Sequence, residues 1–367
     1  MTEQLRSAPV IPRRNRERAL VDVRPDWPGG PLPVLVQANL PDLDLATWLA
    51  DNRATVDELA RRHAAVLLRG FAVADAADFR AAMAALSGDV LSYGERSSPR
   101  SEVTEGVYTS TEHPADQPIV LHNEQSYTLN WPLRIVFFCE TEPAAGGRTP
   151  LADSRRVLAR LRPATVAEFE RRGGVSYQRN YLPGISLSWQ TAFQTDSRAE
   201  VEAYCARSAI EVRWVGDEQL RTRQVRPAVR EHPVTGERTW FNHALFFHVT
   251  SLPEEVSAGL RRALAEEDLP YQTAYGDGTP IGDDVLAELR AAYAAETRSF
   301  PWRRGDVLLV ENMLAAHGRE PFTPPRRILT AMSDPFAAPE AASAPGATSA
   351  PGAASVPAGA APTGDRS

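Results

Sequence analysis

Four short runs of apolar residues stand out along the chain, each bounded by turn-forming or charged residues. They are AAVLLRGFAV from Ala64 to Val73, LRIVFFCETEP from Leu133 to Pro143, GDVLLVENM from Gly305 to Met313 and RRILTAMS from Arg326 to Ser333. Their length and their branched and aromatic content predict strands. Between them the apolar spacing changes to three and four. Leu43 to Arg62 reads as a helix, DSRRVLARL opens on Asp153 as an N-cap, and GDDVLAELRAAYAAE opens on Asp283 or Asp284. Helices before and inside a strand-rich body predict a mainly β fold, a sandwich or barrel with helical decoration, and not a regular strand–helix alternation.

The ends differ from the middle. Residues 1–30, rich in Arg and Pro, are expected to be loosely ordered. Residues 337–367 are almost wholly Ala, Pro, Gly and Ser and cannot bury enough surface to offset their ordering entropy, so a disordered tail is expected. Residues 31–336 show no repeat and no linker, and are expected to form one catalytic domain carrying a large insertion.

Composition removes several classes of function. A formal net charge of −7 argues against a nucleic-acid partner. All 40 basic residues are arginine, which excludes a lysine Schiff base, a phosphate-loop lysine and a kinase-type lysine. The two cysteines, Cys139 and Cys205, make neither a disulfide framework nor a thiolate zinc site, and are assigned to the core. No apolar leader and no run of about 18 apolar residues is visible, so a cytoplasmic protein without a membrane partner is expected.

The candidate chemistry begins at PIVLHNEQSYTLNWPLRIVFFCETEP. In an extended strand His122 and Glu124, two apart, project from one face. An imidazole and a carboxylate so placed fit two adjacent positions of an octahedral metal, and a second histidine would complete a facial triad. His317, just past the predicted strand GDVLLVENM, is the best placed. A His-x-Glu pair alone is more often two polar residues sharing a strand face. Its company changes that balance. Arg326 and Arg327 enter the next strand, and a guanidinium there would clamp the far carboxylate of a dicarboxylic co-substrate. Thr149, in AGGRTPLAD, offers a hydroxyl to the same carboxylate.

With these segments in view, the chain resembles the Fe(II)/2-oxoglutarate dioxygenases of the taurine dioxygenase and clavaminate synthase type, most closely the amino-acid hydroxylases of syringomycin biosynthesis. The resemblance is carried, in order, by YGERSSPR, VYTSTEHPADQPIVLHNEQSY, EPAAGGRTPLADSRRVL, WQTAFQT, HPVTGERTWFNH and WRRGDVLLVENMLAAHGREPFTPPRRILTAM, from about Tyr93 to Met332. It implies a double-stranded β-helix (jelly-roll) core, with a long, partly helical insertion between the metal ligands. It implies Fe(II) on His122, Glu124 and His317, 2-oxoglutarate as co-substrate, O2 as oxidant, and Thr149 with one of the two arginines on the keto acid. The spacing HGR-x-PF-x-x-x-R favours Arg326, whereas register against the RRI of the taurine enzyme favours Arg327. A second arginine four residues farther on, present in several members, is replaced by Thr330 or Ala331. Related halogenases have Gly or Ala where Glu124 stands, so the carboxylate points to hydroxylation; desaturation and oxidative cyclisation begin from the same hydrogen abstraction.

The implied substrate is a small amino-acid-like molecule, free or presented on a carrier protein, with a β-hydroxylated amino acid as the favoured product. Its candidate contacts are Arg96, Arg100, Trp189, Gln190 and Asn242, each of which also has an ordinary structural reading. His113 is a tempting further ligand; His243 and His248, in the aromatic run WFNHALFFHV, read as core or pocket histidines, and His63 and His232 as surface or turn residues. Two rivals remain. A metal-dependent hydrolase or isomerase leaves the arginines and Thr149 without a shared purpose, and an inactive jelly-roll binding protein would tend to lose ligands.

Overall fold

The computed structural model describes residues 19–340, apart from 88–101, 105, 111–112, 183, 185 and 217–218. The segment YGERSSPR, with Arg96 and Arg100, and nearly all of the expected tail lie outside the described residues.

The apolar runs form the centre of an eight-stranded sheet. Its order is Val21–Arg24, Val34–Ala38, Ala65–Arg69, Val307–Glu311, Asn130–Thr141, Arg327–Ala337, Val107–Thr109 and Glu102–Thr104. The strand Val307–Glu311 shows why its sequence reads as an unbroken apolar run. Val307 and Leu309 pack with Val66, Val136 and Phe138 beneath two helices, Leu45–His63 and Ala76–Leu86. Leu308 and Val310 point the other way and pack with Leu67, Ile135, Phe137 and Ile328. Alternate residues therefore feed two cores, and neither face is left for water. A buried pair, Arg69 with Asp306 at 2.6 and 2.8 Å, ties the edge of one central strand to the start of its neighbour. The edge strand Val21–Arg24 falls within the N-terminal stretch that was expected to be loose.

A smaller sheet, Ile119–His122, Ala315–Arg319 and Leu151–Asp153, faces the inner side of the large one. The Phe137 ring of the large sheet lies 5.2 Å from the His317 ring of the small sheet. Two sheets packed face to face over one core make the jelly roll, a mainly β fold with helical decoration as expected.

Between Asp153 and Val307 the chain leaves this core and builds a region with a sheet of its own, ordered Ile210–Val215, Gln219–Arg226, Val175–Tyr181, Tyr271–Tyr275. Helices Ser154–Arg160, Pro163–Arg171, Arg198–Arg207 and Asp283–Glu296 pack around it. Asp44 and Asp153 cap their helices by accepting backbone N–H groups, Asp44 from Thr47 at 2.8 Å and Asp153 from Arg155 at 2.9 Å. The helix Asp283–Glu296 differs from expectation. Its cap is Gly282 with no side-chain bond, and both Asp283 and Asp284 lie in the first turn, where carboxylates favour the helix dipole without closing the cap. Among the described residues no helix is long and apolar enough to cross a membrane.

Candidate metal centre and its anion pocket

The small sheet sets the two histidines opposite each other. His122 ends one strand, His317 lies in the middle of the next, and they are direct partners in the antiparallel register. Their ring centroids are 4.5 Å apart. Gly318 permits this close pairing, because a Cβ there would fall 2.6 Å from the carbonyl oxygen of Ile119. Glu124 lies just past the end of the strand. The strand stops at His122, and Glu124 opens a turn in which Gln125 takes a left-handed φ of 56°. Asn123 meanwhile bonds to Ser154 and Asn312, away from the two imidazoles. One ligand atom from each of His122, Glu124 and His317 lies within 4.8 Å of the others.

That turn is pinned by a residue the sequence reading did not single out. Asn312, fully buried one residue past the strand Val307–Glu311, accepts the Glu124 N–H at 2.7 Å through Oδ1. Its Nδ2 donates to the carbonyls of Glu124 at 2.9 Å and Pro132 at 2.8 Å. Asn123 returns the contact by donating to the Asn312 carbonyl at 2.6 Å. Behind Asn312, Glu311 meets His232 Nε2 at 3.2 Å and Arg134 Nε at 3.9 Å. His232 stands at the Val229–Glu231/Arg238–Trp240 turn, one of the two places expected for it, but is only 2% exposed and so not a surface residue.

The donor set fits a divalent transition metal. His122 Nδ1 lies 2.8 Å from the Val120 carbonyl, which can only accept. The ring proton of the neutral imidazole therefore sits on Nδ1 and leaves the Nε2 lone pair for a cation, as metal-binding histidines require. Two such nitrogens and one carboxylate, with nothing sulfur-based, suit iron(II) and similar ions.

Beside the triad is a cavity lined by His122, His317, Thr149, Arg319 and Arg326, with Ile119, Phe137 and Ile328 as apolar walls and Ser110 and Gly318 at its edge. Arg326 and Arg327 part company here. Arg327 is half exposed and pairs with Glu140 at 2.9 Å. Arg326 turns inward, its Nε donating to the Gly147 carbonyl at 3.1 Å. Gly147 makes the room, since a Cβ there would stand 3.0 Å from Arg326 Cδ at a φ of 64°. Burial, and then the nearby Arg319 guanidinium, push the Arg326 pKa down to about 10. Among the described residues no carboxylate pairs with Arg326 or with Arg319. Thr149 is buried, and its Oγ1 accepts from Trp302 Nε1 at 3.1 Å. With that lone pair taken, the hydroxyl hydrogen is available to the cavity. Trp302, visible in the sequence only as part of WRRGD, is a second residue missed.

Of the expected substrate contacts, Trp189, Gln190 and Asn242 do not line this cavity, and Arg96 and Arg100 lie outside the described residues. Trp189 packs against Trp214, with centroids 5.3 Å apart, in a core of the inserted region that also holds Cys205. Gln190 follows it in the helix Trp189–Phe193, half buried. Asn242 spends its amide within the fold, donating to the Ala228 carbonyl at 2.7 Å and accepting the Ala244 N–H of its own turn at 2.9 Å. What the inserted region does bring to the triad is aromatic. Phe246 lies 4.6 Å and His243 5.7 Å from the His122 ring. His243 is held by Ser126 Oγ at 2.6 Å, and burial keeps its pKa well below the usual histidine range. His248 contacts Thr250 Oγ1 at 2.7 Å, and His113 and His63 are outside the triad. Cys139 is buried, its thiol pushed up to about 12 by burial and then by Asp306.

Comparison with known proteins agrees with this geometry. The family model described as "Taurine catabolism dioxygenase TauD, TfdA family" matches residues 28–332. The chain is 39% identical over 314 residues to the dapdiamide synthesis protein DdaC of Enterobacter agglomerans, covering 86% of this chain and 94% of that protein. In fold it is similar to PvcB of Pseudomonas aeruginosa, with a TM-score of 0.52 at 18% identity over 86% of this chain and 91% of that one. A second structure, of PvcB as an Fe, alpha-ketoglutarate dependent oxygenase from an isonitrile synthetic pathway, matches with a TM-score of 0.50 at 18% identity, covering 90% and 94%.

Proposed function

This chain belongs to the taurine catabolism dioxygenase TauD, TfdA family, and from that premise we propose a specific activity for it. It is an Fe(II)/2-oxoglutarate-dependent oxygenase that hydroxylates an unactivated C–H bond of an amino acid or aminoacyl substrate in natural-product biosynthesis. The balance is substrate C–H, 2-oxoglutarate and O2 to substrate C–OH, succinate and CO2. One observation carries this reading: a partly buried arginine, Arg326, without a carboxylate partner among the described residues shares a cavity with two histidines of the triad. A guanidinium out of water is costly unless an anion meets it. An acid that spans from the metal to Arg326 supplies that anion.

His122, Glu124 and His317 would hold the iron, and bound there it supplies the oxygen activation that no side chain provides. The remaining work belongs to the protein. The Val120 carbonyl fixes the His122 tautomer, and Asn312 fixes the backbone that carries Glu124. Arg326 and the Thr149 hydroxyl hold the far carboxylate of the keto acid, while Ile119, Phe137 and Ile328 keep water from it. Phe246 and His243 bound the side of His122 that faces the inserted region, where the substrate would lie. Glu124 occupies the position that would have to be vacated for chloride, which supports hydroxylation over halogenation.

The substrate class draws support from the relation to a protein of dapdiamide synthesis and from the resemblance to the syringomycin hydroxylases; both a free amino acid and a carrier-bound aminoacyl group are substrates to screen. The test is anaerobic addition of Fe(II) and 2-oxoglutarate. A weak visible charge-transfer band, followed by succinate on admitting O2, is expected. Neither band nor succinate would overturn the assignment.

A further inference from the structure

Arg319 follows His317 by two residues on the same strand and lines the same cavity as Arg326. It is only 6% exposed. Its two terminal nitrogens are used on main chain: Nη1 donates to the His113 carbonyl at 3.0 Å, and Nη2 to those of Pro114 at 2.5 Å and Gln117 at 2.8 Å. Its Nε is buried with no acceptor among the described residues. Both guanidinium groups stand against one ring, Arg319 at 5.1 Å and Arg326 at 5.3 Å from the centroid of Phe322.

A buried donor left unpaired costs more than its bond would return, and a charged one costs more still. Three carbonyls fix the Arg319 guanidinium so that Nε cannot swing away to find a partner elsewhere. We propose that Arg319 Nε–H is a second donor to the far carboxylate of the co-substrate, completing with Arg326 and Thr149 a three-point site for a dicarboxylic 2-oxo acid. This rests on the co-substrate reading above. Arg319 is a binding residue in this assignment as well as a fastener of residues 113–117, and it sets selectivity for a dicarboxylate over a monocarboxylate.

The experiment titrates the Fe(II)-loaded protein anaerobically with 2-oxoglutarate and with 2-oxopentanoate, which has the same chelating head and no second carboxylate. The charge-transfer band is the readout, compared between the unaltered protein and Arg319→Gln. Loss of one charge-assisted bond should weaken 2-oxoglutarate about tenfold or more and leave 2-oxopentanoate unchanged. Equal weakening of both acids, or of neither, overturns the proposal and leaves Arg319 a purely structural residue. No band with either acid in the unaltered protein overturns the co-substrate reading instead. Should Arg319→Gln fail to fold, a crystal structure of the unaltered protein with Mn(II) and 2-oxoglutarate decides. A carboxylate oxygen within about 3.2 Å of Arg319 Nε supports the assignment, and a longer separation removes it.

Discussion

The two sides of the site are built on opposite plans. The anion side belongs to the core strands, and its polar groups point into the cavity: Thr149, Arg319 and Arg326 hold back a donor from the surrounding fold. The opposite side belongs to the inserted region, whose described candidate contacts bond or pack within the fold. Asn242 closes its own turn, Trp189 fills a core, and Arg226 spends its guanidinium on the carbonyls of Tyr127 and Ser208. What sets the anion side apart is place: two guanidinium groups and a hydroxyl line one cavity beside the metal ligands, where an anionic ligand would meet them together. On the proposed reading, the core strands hold the metal and the keto acid, and the inserted region presents Phe246 beside His122.

The largest effect that would break the comparison lies at the triad. His122→Ala or His317→Ala should reduce bound Fe(II) to background, measured as metal per chain after anaerobic reconstitution, with the fold retained by circular dichroism. Iron binding that survives either change would show that the metal is held elsewhere.

Next in size is the contrast between adjacent arginines. Arg326→Ala removes a partly buried charged contact worth about 1.5–3 kcal/mol, so 2-oxoglutarate affinity should fall about 10- to 100-fold. Arg327→Ala loses only the half-exposed pair with Glu140, worth less than about 1 kcal/mol, and affinity for the keto acid should stay within about twofold. The reverse order would place the anion on the outer face of the strand.

This pair also marks the limit of the sequence. The runs around Leu67, Phe137 and Leu308 were readable because each strand buries both faces, and the Asp153 cap because a carboxylate before a helical pattern has one obvious use; the Asp44 cap was passed over, since the helix was read from Leu43. Arg326 and Arg327 could not be ranked by alternation, because the ladder is interrupted between Arg327 and Ile328 and the strand begins only at Arg327. The meeting of His122 with His317 depends on a register between strands almost 200 residues apart, so the sequence offered His317 only as a candidate placed past a strand, and the resemblance supplied the pairing. Asn312 reads locally as a turn residue. Its use appears only when the Glu124 turn is folded against it. Trp189 is a related case: an aromatic side chain in an inserted region looks the same in sequence whether it packs on a ligand or, as here, on Trp214.

Acid should expose the weaker side first. Burial, followed by Arg261 and Arg290, lowers the His248 pKa to about 4, against about 6.5 in an unfolded chain. Between these values the unfolded state binds more protons than the folded one. The His248 share of stability is therefore complete above about pH 6.5 and is lost as pH falls toward 4. The melting temperature should drop over that window, and His248→Gln should flatten the decline. Parallel curves for the two proteins would assign the acid sensitivity to other groups.

The smallest effect sharpens the anion side most. Trp302 Nε1 occupies one acceptor position of Thr149 Oγ1, and the indole packs on Phe300 at 5.0 Å. Trp302→Phe keeps an aromatic ring there and removes the donor. Thr149 can then rotate, and 2-oxoglutarate affinity should weaken by about two- to tenfold, the range expected for one neutral hydrogen bond of about 0.5–1.5 kcal/mol. Trp302 touches the ligand only through Thr149, so the two changes should not add. Thr149→Val alone and Thr149→Val with Trp302→Phe should bind the keto acid equally. Losses that multiply would mean that Trp302 acts on the cavity directly, and that the anion side has a fourth contributor.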